Sequence, residues 1–232
     1  MTVETVEWHT IHPRFLGPDS IVIDVGASNG RFSRSMIDRF GCRCYAIDAS
    51  PEACASIQPD KLLSTFNLAI CSNSGPVKFH VNENPEASSI VDQTGSNIVK
   101  TFDVPGKHLE KFCTDLDLRV VDLLKLDIEG AEIGVIDSCS NDFLKNLQQI
   151  TIEFHDFCGI THPSEVKRVI GRLKKIGFFP VRMSRNGHLD TLFINRNQCD
   201  ISLWECLWIR YFIRNWVGLK RVLKRKISNR IH

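Results

Sequence analysis

A short apolar segment that runs directly into a glycine turn constrains the fold more than any other feature of this sequence. Residues 20–24 (SIVID) are largely β-branched and precede Gly26, which predicts a fully buried strand of a parallel sheet. From Gly30 onward apolar residues recur at helical spacing, and Gly41 ends the predicted helix. A buried strand followed at once by a helix is the repeating unit of an α/β sheet.

The same alternation of strands and helices continues along the chain. Further strands are predicted over residues 44–48, 64–71, 121–127 and 149–154, and helices from Pro51, over 109–116, over 131–138 and from Ser164 to Lys175. Residues 77–81 predict a hairpin partner and polar residues 82–104 a long loop, while 178–183 and 189–195 flank an Asn-Gly turn and predict an antiparallel hairpin. This order predicts the α/β class, with a doubly wound, mostly parallel sheet and a terminal antiparallel hairpin.

The composition of the 232-residue chain argues against several classes of protein. The sequence contains no charge-free apolar run of about eighteen residues, so no membrane span is expected. The first ten residues contain acids and no apolar stretch, so no secretory signal is expected either. The nine cysteines include no C-x-x-C pair, which disfavours a zinc ribbon and a disulfide framework. We therefore expect a cytoplasmic protein.

The C-terminal segment differs in charge from the rest of the chain. Residues 201–232 contain eight Lys and Arg but one acid, a net charge of +7, whereas the other 200 residues carry −5. At helical spacing this segment has two different faces. The basic face holds Arg210, Arg214, Arg221 and Arg225, and the aromatic, apolar face holds Trp204, Trp208, Tyr211, Leu219 and Val222. Such a pattern is typical of a helix that lies on an anionic membrane surface, here at the inner face.

Two other interpretations of this segment remain open. Its aromatic face could pack on the domain or on a partner chain, or its basic end could bind RNA, which we rank last because the rest of the chain is acidic. We predict three parts: an N-terminal lead-in over 1–19, the main domain over 20–196 and a basic amphipathic tail over 197–232. The sequence leaves the oligomeric state open.

The glycine turn predicts a nucleotide site, because ligands of such sheets bind beyond the carboxyl ends of the strands. The spacing is D-x-G-x-x-x-G from Asp24 through Gly26 to Gly30, and Ser28 stands where a diphosphate-binding loop has its middle glycine. S-adenosylmethionine, which has no diphosphate, fits this loop better than NAD. Asp24 is expected to orient the loop or to accept from the ammonium group of the ligand. A glycine turn without a ligand is the alternative.

Asp48 ends the second predicted strand, eighteen residues beyond Gly30. A carboxylate at this place can accept hydrogen bonds from both ribose hydroxyls of a nucleotide, in an S-adenosylmethionine site and in an NAD site alike. Because Asp48 precedes Ser50 and Pro51, a helix cap is the alternative interpretation.

Two charged clusters follow neighbouring strands at their carboxyl ends: Lys125, Asp127, Glu129 and Glu132 after the first, and Glu153 and His155 after the second. Lys125, Asp127 and Glu129 alternate onto one face if the strand continues. His155 is the expected general base, because imidazole takes up a proton near neutral pH. Two alternatives remain. Lys125 could form a structural ion pair with an aspartate, or Asp127, Glu129 and Glu153 could bind a magnesium ion, which we do not favour.

Four sequence blocks together resemble the FkbM-type methyltransferases: VIDVGASNG (22–30), AIDASPE (46–52), LAICSNSG (68–75) and, most specifically, LLKLDIEGAE (123–132). The resemblance covers residues 20–196. It implies a class I, Rossmann-like methyltransferase fold, S-adenosylmethionine as cofactor, and methyl transfer to a hydroxyl of a sugar, glycan or related natural product. Ser88-Ser89 is similar to a small polar pair of the family, whereas Ser28 stands where the family commonly has a branched residue.

The resemblance also assigns roles by position. It implies that the cofactor is held by Asp24, Gly26, Ser28, Gly30 and Asp48, and that Asp127, Glu129 and His155 face the acceptor. We further expect Asn29, Ala69 and Asp127 to contact the cofactor and Lys125 to take part in catalysis.

The leading hypothesis is therefore an S-adenosylmethionine-dependent O-methyltransferase. Its acceptor, a glycan or a lipid-linked form of one, is expected to be selected by residues 82–104 and the C-terminal segment. A non-catalytic binding module of the same fold and an NAD-dependent oxidoreductase are the alternatives. The missing middle glycine and the terminal hairpin argue against the oxidoreductase.

Overall fold

The computed structural model describes residues 3–84, 87–91, 97–184 and 187–213. In chain order the strands are β1 (Glu4–Val6), β2 (His9–Ile11), β3 (Ile21–Val25), β4 (Arg43–Asp48), β5 (Leu63–Asn67), β6 (Ala69–Cys71), β7 (Gly75–Asn82), β8 (Ile98–His108), β9 (Val121–Leu126), β10 (Leu147–Ile152), β11 (Phe178–Arg182) and β12 (Thr191–Asn195). The helices are α1 (Arg31–Phe40), α2 (Pro51–Ser56), α3 (Leu109–Asp115), α4 (Glu132–Ser138), α5 (Asn141–Lys145), α6 (Pro163–Lys175) and α7 (Leu203–Trp208), and a π-helical turn (Ile209–Ile213) continues α7.

Seven strands form the central sheet, in the order β11-β12-β10-β9-β3-β4-β5. The five strands from β10 to β5 are parallel, and β12 runs antiparallel between β10 and β11. This sheet confirms the predicted α/β class, mostly parallel and doubly wound, with a terminal antiparallel hairpin. The Asn-Gly turn predicted within that hairpin lies partly outside the described residues.

The central strands are buried on both faces, as their continuous apolar sequences predict. Val22 and Leu123 pack with α1 on one side of the sheet, whereas their neighbours Ile23 and Leu124 belong to the larger core on the other side. Helix α1 ends where predicted, because Gly41 adopts a left-handed conformation (φ 67°) and its N–H donates to the carbonyl oxygen of Ile37 at 2.8 Å.

The predicted third strand and the predicted loop over 82–104 are wrong in part. Residues 64–71 divide into β5 of the central sheet and β6 of a separate three-stranded sheet, ordered β6-β8-β7. Only the last part of the predicted loop, residues 98–104, belongs to the strand β8, which pairs with β7 from Gly75↔Gly106 to Asn82↔Ile98. The side chains of β8 are mostly exposed, so its sequence is polar, and its stability comes from backbone pairing with β7. Residues 85–86 and 92–96 of that predicted loop lie outside the described part.

Two helix predictions also differ in detail. Helix α6 begins at Pro163, and its cap is His162 and not Ser164: the His162 ring accepts from the N–H of Ser164. Helix α5 follows a Ser140 cap and is too short for a periodic pattern to reveal it.

The N-terminal lead-in is a small hairpin, β1–β2, that docks against the ends of β10 and β12. Thr10 donates to Asp190 from both its N–H (2.9 Å) and its hydroxyl (2.6 Å), and the N–H of His12 donates to Gln149 at 2.8 Å. These bonds join residues more than a hundred positions apart in the chain, and they hold the hairpin beside the carboxyl ends of the central strands.

Helix α7 packs on the hairpin β11–β12 through Cys206 and Ile209, which are buried with Val181, Leu192 and Ile194. Arg14 donates to Glu205 at 2.8 Å and fixes the beginning of the helix to the rest of the domain. Among the described residues, no helix combines the length and apolar character needed to cross a bilayer. The rest of the predicted amphipathic segment, including Arg214, Leu219, Arg221, Val222 and Arg225, lies outside the described residues.

Candidate functional site

A cavity of about 1080 Å³ opens at the carboxyl ends of β3, β4, β9 and β10, where ligands of such sheets bind. The loops after these strands contribute polar lining, and β6, β7 and β8 contribute a wall. The lining includes Trp8, Gly26, Ser28, Asn29, Asp48, Ser50, Ala69, Ile70, Phe79, Ser89, Lys100, Asp127, Glu129, Glu153 and Asp190. The cavity is large enough for a nucleotide-sized cofactor and part of an acceptor at the same time.

The glycine loop is held from behind by protein groups. Gly26 has φ 78°, and a Cβ there would lie 1.8 Å from the carbonyl oxygen of Asp127. The N–H groups of Gly26 and Ala27 both donate to the carbonyl oxygen of Ile47, and Lys125 Nζ donates to the Gly26 carbonyl oxygen at 2.7 Å. Packing against the neighbouring strand loop therefore requires glycine at this position, and the same packing sets the shape of the cavity wall. Gly30, with φ 75°, is the residue before α1 and does not line this cavity, although the sequence predicts it to hold the cofactor.

Asp24 and Lys125 form a buried ion pair, 3.0 Å apart, behind the glycine loop. Asp24 also accepts from Ser33 Oγ at 2.7 Å. Burial alone would lower the pKa of Lys125, but the charges of Asp24 and Asp127 outweigh it and raise that pKa. Lys125 is thus a fixed cation, which favours the structural ion pair over a catalytic role. Of the two roles expected for Asp24, its contacts favour orienting the loop.

Asp48 lines the cavity at the end of β4, where its two carboxylate oxygens accept from the N–H of Ser28 (2.7 Å) and of Ser50 (2.8 Å). Burial raises its pKa. The cap of α2 is Ser50, which accepts from the N–H of Ala53, so Asp48 is not the helix cap. Each Asp48 oxygen keeps further lone pairs with which to accept from a ligand hydroxyl.

The strand predicted over 121–127 ends at Leu126, and Asp127 begins a turn in which Glu129 (φ 52°) and Gly130 (φ 104°) are left-handed. Glu132 organises this turn: its Oε1, fully buried, accepts from the N–H of Ile128 (2.9 Å) and of Gly130 (3.2 Å). The carboxylates therefore come together through a turn, and the expected strand alternation is wrong. The carbonyl oxygen of Glu129 also accepts from Ser89 at 2.8 Å.

His155 is buried and lies between carboxylates. Its Nε2 lies 3.1 Å from Glu129 and 4.0 Å from Asp127 and Glu153, while its Nδ1 lies 3.1 Å from Glu132. Burial alone would lower its pKa, but the hydrogen bonds to Glu129 and Glu132 prevail and raise the pKa of His155 to about 11. An imidazole with this pKa already carries its proton at neutral pH, which argues against His155 as the general base and leaves that role a prediction.

Glu153 and Asp127 differ in charge state although they line the same part of the cavity. Burial, followed by the charge of Asp127, raises the pKa of Glu153 to about 7. Burial also acts on Asp127, but Lys125 and His9 outweigh it and hold the pKa of Asp127 far below its usual range. Glu153 can therefore take up a proton near neutral pH, whereas Asp127 remains an anion.

Sequence reasoning missed His9 and Trp8. His9 is buried, and its Nε2 lies 3.3 Å from Asp127 Oδ2, across 118 positions of sequence. Trp8 occupies the turn between β1 and β2, lines the cavity mouth and is 80% exposed. No local pattern marks either residue, because their place depends on the docking of the N-terminal hairpin.

Among the described residues, two overlapping sets have side chains that could bind a metal ion: His9, Asp127 and Glu153, and Asp127, Glu129 and His155. In each set the ligand atoms lie within 4.8 Å of one another. A charged His155 has no free lone pair, and it already supplies a cation to these carboxylates. A metal ion bound by the second set would therefore have to displace the proton of His155.

Comparisons with known proteins place this geometry in context. A family model described as the Methyltransferase FkbM domain matches residues 24–179. The 2-O-methyltransferase NoeI of Sinorhizobium fredii is 24% identical over 138 residues, which are 51% of this chain and 57% of that relative.

Among solved structures, Methyltransferase FkbM from Methylobacillus flagellatus is 12% identical, with a TM-score of 0.49 over 77% of this chain and 44% of that chain. Precorrin-6y C5,15-methyltransferase from Geobacter metallireducens is 11% identical, with a TM-score of 0.40 over 77% of this chain and 79% of that one. The family segment contains the glycine loop, Asp48 and the carboxylate cluster around His155, and it spans most of the chain. The chain belongs to the FkbM methyltransferase family.

Proposed function

We propose that this protein transfers a methyl group from S-adenosylmethionine to a hydroxyl group of a sugar or glycan. The observation that carries this proposal is that one cavity joins the glycine loop and Asp48 to the carboxylates Asp127, Glu129 and Glu153. Such a cavity can hold the methyl donor at one end and a hydroxyl beside a proton acceptor at the other. Membership of the FkbM methyltransferase family supports the same reaction class.

The residues at the loop end of the cavity fit the cofactor. Asp48 offers acceptors for the ribose hydroxyls, and the lining side chains Ile47, Leu68, Ala69, Ile70 and Ile128 offer an apolar surface for the adenine ring. Ser28 and Asn29 supply polar groups beside the glycine loop. When bound, S-adenosylmethionine supplies an electrophilic methyl group on a positively charged sulfur, and the permanent charge of Asp127 favours a cation in this cavity.

The residues at the other end of the cavity fit the acceptor hydroxyl. Glu153 is the proton acceptor we propose, because it lines the cavity and its raised pKa lets it change protonation near neutral pH. His155 keeps its proton and holds Glu129 and Glu132 in place. His9 orients Asp127 from the N-terminal hairpin. Closeness and orientation are the main contributions required of the protein in a displacement of this kind.

Trp8 at the cavity mouth supports a sugar as acceptor. Its indole ring is exposed where an acceptor would enter, and a flat aromatic surface can pack against the C–H face of a sugar ring. Glu7 (φ 42°) and Trp8 (φ 72°) are both left-handed, a conformation that bulky residues rarely adopt. Strain of this kind is concentrated at functional sites. The name of the Sinorhizobium fredii relative, a 2-O-methyltransferase, is consistent with a hydroxyl acceptor.

Calorimetric titration of the full chain with S-adenosylmethionine, S-adenosylhomocysteine and NAD tests the cofactor. We expect binding of the first two and none of NAD. Transfer of a labelled methyl group to a panel of mono- and oligosaccharides then tests the reaction, and the product is located by mass spectrometry.

Each alternative gives a distinct result. Tight binding of NAD alone would indicate an oxidoreductase, and cofactor binding without transfer to any hydroxyl acceptor would favour a binding module. Transfer to nitrogen or carbon would contradict the O-methyl part of the proposal alone.

A further inference from the structure

Helix α7 and its π-helical continuation carry two faces of different character. Cys206 and Ile209 are buried in the core beneath β11 and β12, which anchors the helix to the domain. The neighbouring aromatic side chains point away from that core: Trp204 is 82% exposed, and Trp208, Tyr211 and Phe212 are each more than half exposed. The aromatic surface, as we name these four side chains, is thus presented on a firmly attached helix.

This surface is concentrated in one place. Five of the eleven large hydrophobic side chains that are exposed among the described residues lie within 203–212. The rings of Trp208 and Phe212 stack with centroids 4.3 Å apart, so that they form a continuous apolar patch. A contiguous exposed patch of large aromatic side chains marks an interaction site more often than scattered apolar residues do.

The part of the sequence that carries the aromatic surface is strongly basic. Glu205, the acid of α7, is already paired with Arg14 at 2.8 Å. The guanidinium of Arg210 lies over the rings of Phe179 and Tyr211, at the edge of the surface. In the sequence that follows, residues 214–232 contain seven Lys and Arg and no acid, and they also include Trp216.

We propose that the aromatic surface binds an anionic lipid bilayer, a partner whose charge complements the seven Lys and Arg of the sequence that follows. Tryptophan and tyrosine favour the interface between headgroups and acyl chains, where the ring is buried and the polar edge stays hydrated. Lysine and arginine are attracted to anionic headgroups. The bound domain would be peripheral, held at the bilayer by the side chains of α7 and its π-helical continuation.

The same observations disfavour the other occupants of this surface. A symmetric contact with a second copy would bring the Arg210 guanidinium of each copy to the same interface, because each copy presents the same patch. The phosphates of a single RNA strand could pair with the cations of this sequence. The same sequence also contains the apolar residues Val217, Leu219, Val222, Leu223 and Ile227, which binding to phosphates does not require. Apolar residues interleaved with cations suit a lipid surface.

Vesicle sedimentation with the full chain tests the proposal without any requirement for methyl transfer, so its failure is separable from failure of the proposed function. The vesicles are phosphatidylcholine alone or phosphatidylcholine with about a third phosphatidylserine, whose anionic headgroups attract nearby cations. We expect binding to the anionic vesicles, a blue shift of tryptophan emission, and release as salt rises and the screening length falls from about 10 Å at 0.1 M to about 3 Å at 1 M.

Two sets of variants divide the aromatic and the basic contributions. Trp204→Ser/Trp208→Ser should weaken vesicle binding at least tenfold, whereas the control Val99→Ser/Val120→Ser, which also removes two exposed apolar side chains, should not. Replacing Arg221, Lys224, Arg225 and Lys226 by Gln should weaken binding by about a hundredfold or more and flatten its salt dependence.

Three outcomes would overturn the proposal: equal affinity for neutral and anionic vesicles, self-association that Trp204→Ser/Trp208→Ser abolishes while vesicles stay unbound, or binding of a single-stranded RNA at concentrations that leave vesicles unbound. Because Trp204 and Trp208 are exposed, their replacement is expected to leave the thermal unfolding temperature unchanged, and measuring that temperature confirms that the variant is folded.

Discussion

The two ends of the cavity are built differently. At the end proposed for the cofactor, the glycine loop and Asp48 are shaped by backbone groups of β3, β4 and the turn after β9, all within the repeating unit of the sheet. At the end proposed for the acceptor, charged side chains come from four separate chain segments: the N-terminal hairpin, the turn after β9, the start of α4 and the segment after β10. One end depends on local geometry, the other on long-range assembly.

This difference has a chemical consequence. The cofactor end carries mostly satisfied backbone groups, so its shape is rigid and its tolerance of side-chain volume is small. At the proposed acceptor end three carboxylates lie within about 4 Å of His155, so the protonation states of these groups depend on each other. Substitutions at the first end should act on binding, and substitutions at the second end on turnover and on its pH dependence.

Gly26→Val should have the largest effect. The new Cβ would lie 1.8 Å from the Asp127 carbonyl oxygen at a φ of 78°, so the loop must move away from the neighbouring turn. We expect S-adenosylmethionine binding to fall below detection in calorimetry and the unfolding temperature to drop. Gly171→Ala is the matched control, because nothing lies within 4 Å of its Cβ and alanine is favoured inside a helix by about 1 kcal/mol. Wild-type affinity in Gly26→Val would place the cofactor elsewhere.

Glu153→Gln should lower turnover by about 10²–10⁴-fold and leave cofactor affinity unchanged, because it removes the proton acceptor alone. In the wild-type protein the base works when deprotonated, and the pKa of Glu153 is raised to about 7. Activity should therefore rise with pH through about pH 7 and then level, and the variant should lack that step. A rise that continues to pH 10 would assign the proton transfer to His155 instead, whose pKa is raised to about 11.

The contrast between the two ends also explains how much the sequence could predict. The sequence predicts the positions of the glycine loop and Asp48 because strand, turn and helix follow each other locally. It predicts the acidic cluster after β9 because those residues follow a buried strand directly. The partner of Asp127 could not be found in this way, since His9 is 118 positions away. The protonation of His155 was equally hidden, because it depends on a buried Glu132 that reaches it only in the folded chain.

The sequence predicts a loop over residues 98–104 of the strand β8 for a related reason. Its side chains face solvent along most of its length, so neither apolar runs nor clear alternation mark it. Its partner β7, by contrast, was found from alternation and then pairs with β8 over nearly its whole length. Backbone hydrogen bonding between strands leaves no signature in side-chain polarity.

Asp48→Ala should have a smaller effect than Gly26→Val at the same end of the cavity. Its loss removes the acceptor proposed for two ribose hydroxyls and also releases the N–H groups of Ser28 and Ser50. We expect cofactor affinity to fall by about 1–3 kcal/mol, which calorimetry measures directly. Asp48→Asn, which keeps one acceptor oxygen, should recover part of the loss. Unchanged affinity in both variants would separate Asp48 from the cofactor.

Trp8→Ala should have the smallest effect, and one confined to the acceptor. Because the ring is 80% exposed, folding and cofactor affinity should not change, whereas KM for a sugar acceptor should rise about two- to tenfold, the equivalent of 0.5–1.5 kcal/mol of aromatic packing. Trp8→Phe should restore most of the affinity, and an unchanged KM in Trp8→Ala would remove the stacking role. Trp8→Gly sharpens the test, since glycine accepts the left-handed φ of 72° that costs another residue about 1–2 kcal/mol. A variant that unfolds at a higher temperature and yet binds the sugar less well would show that this strain is retained for binding the acceptor.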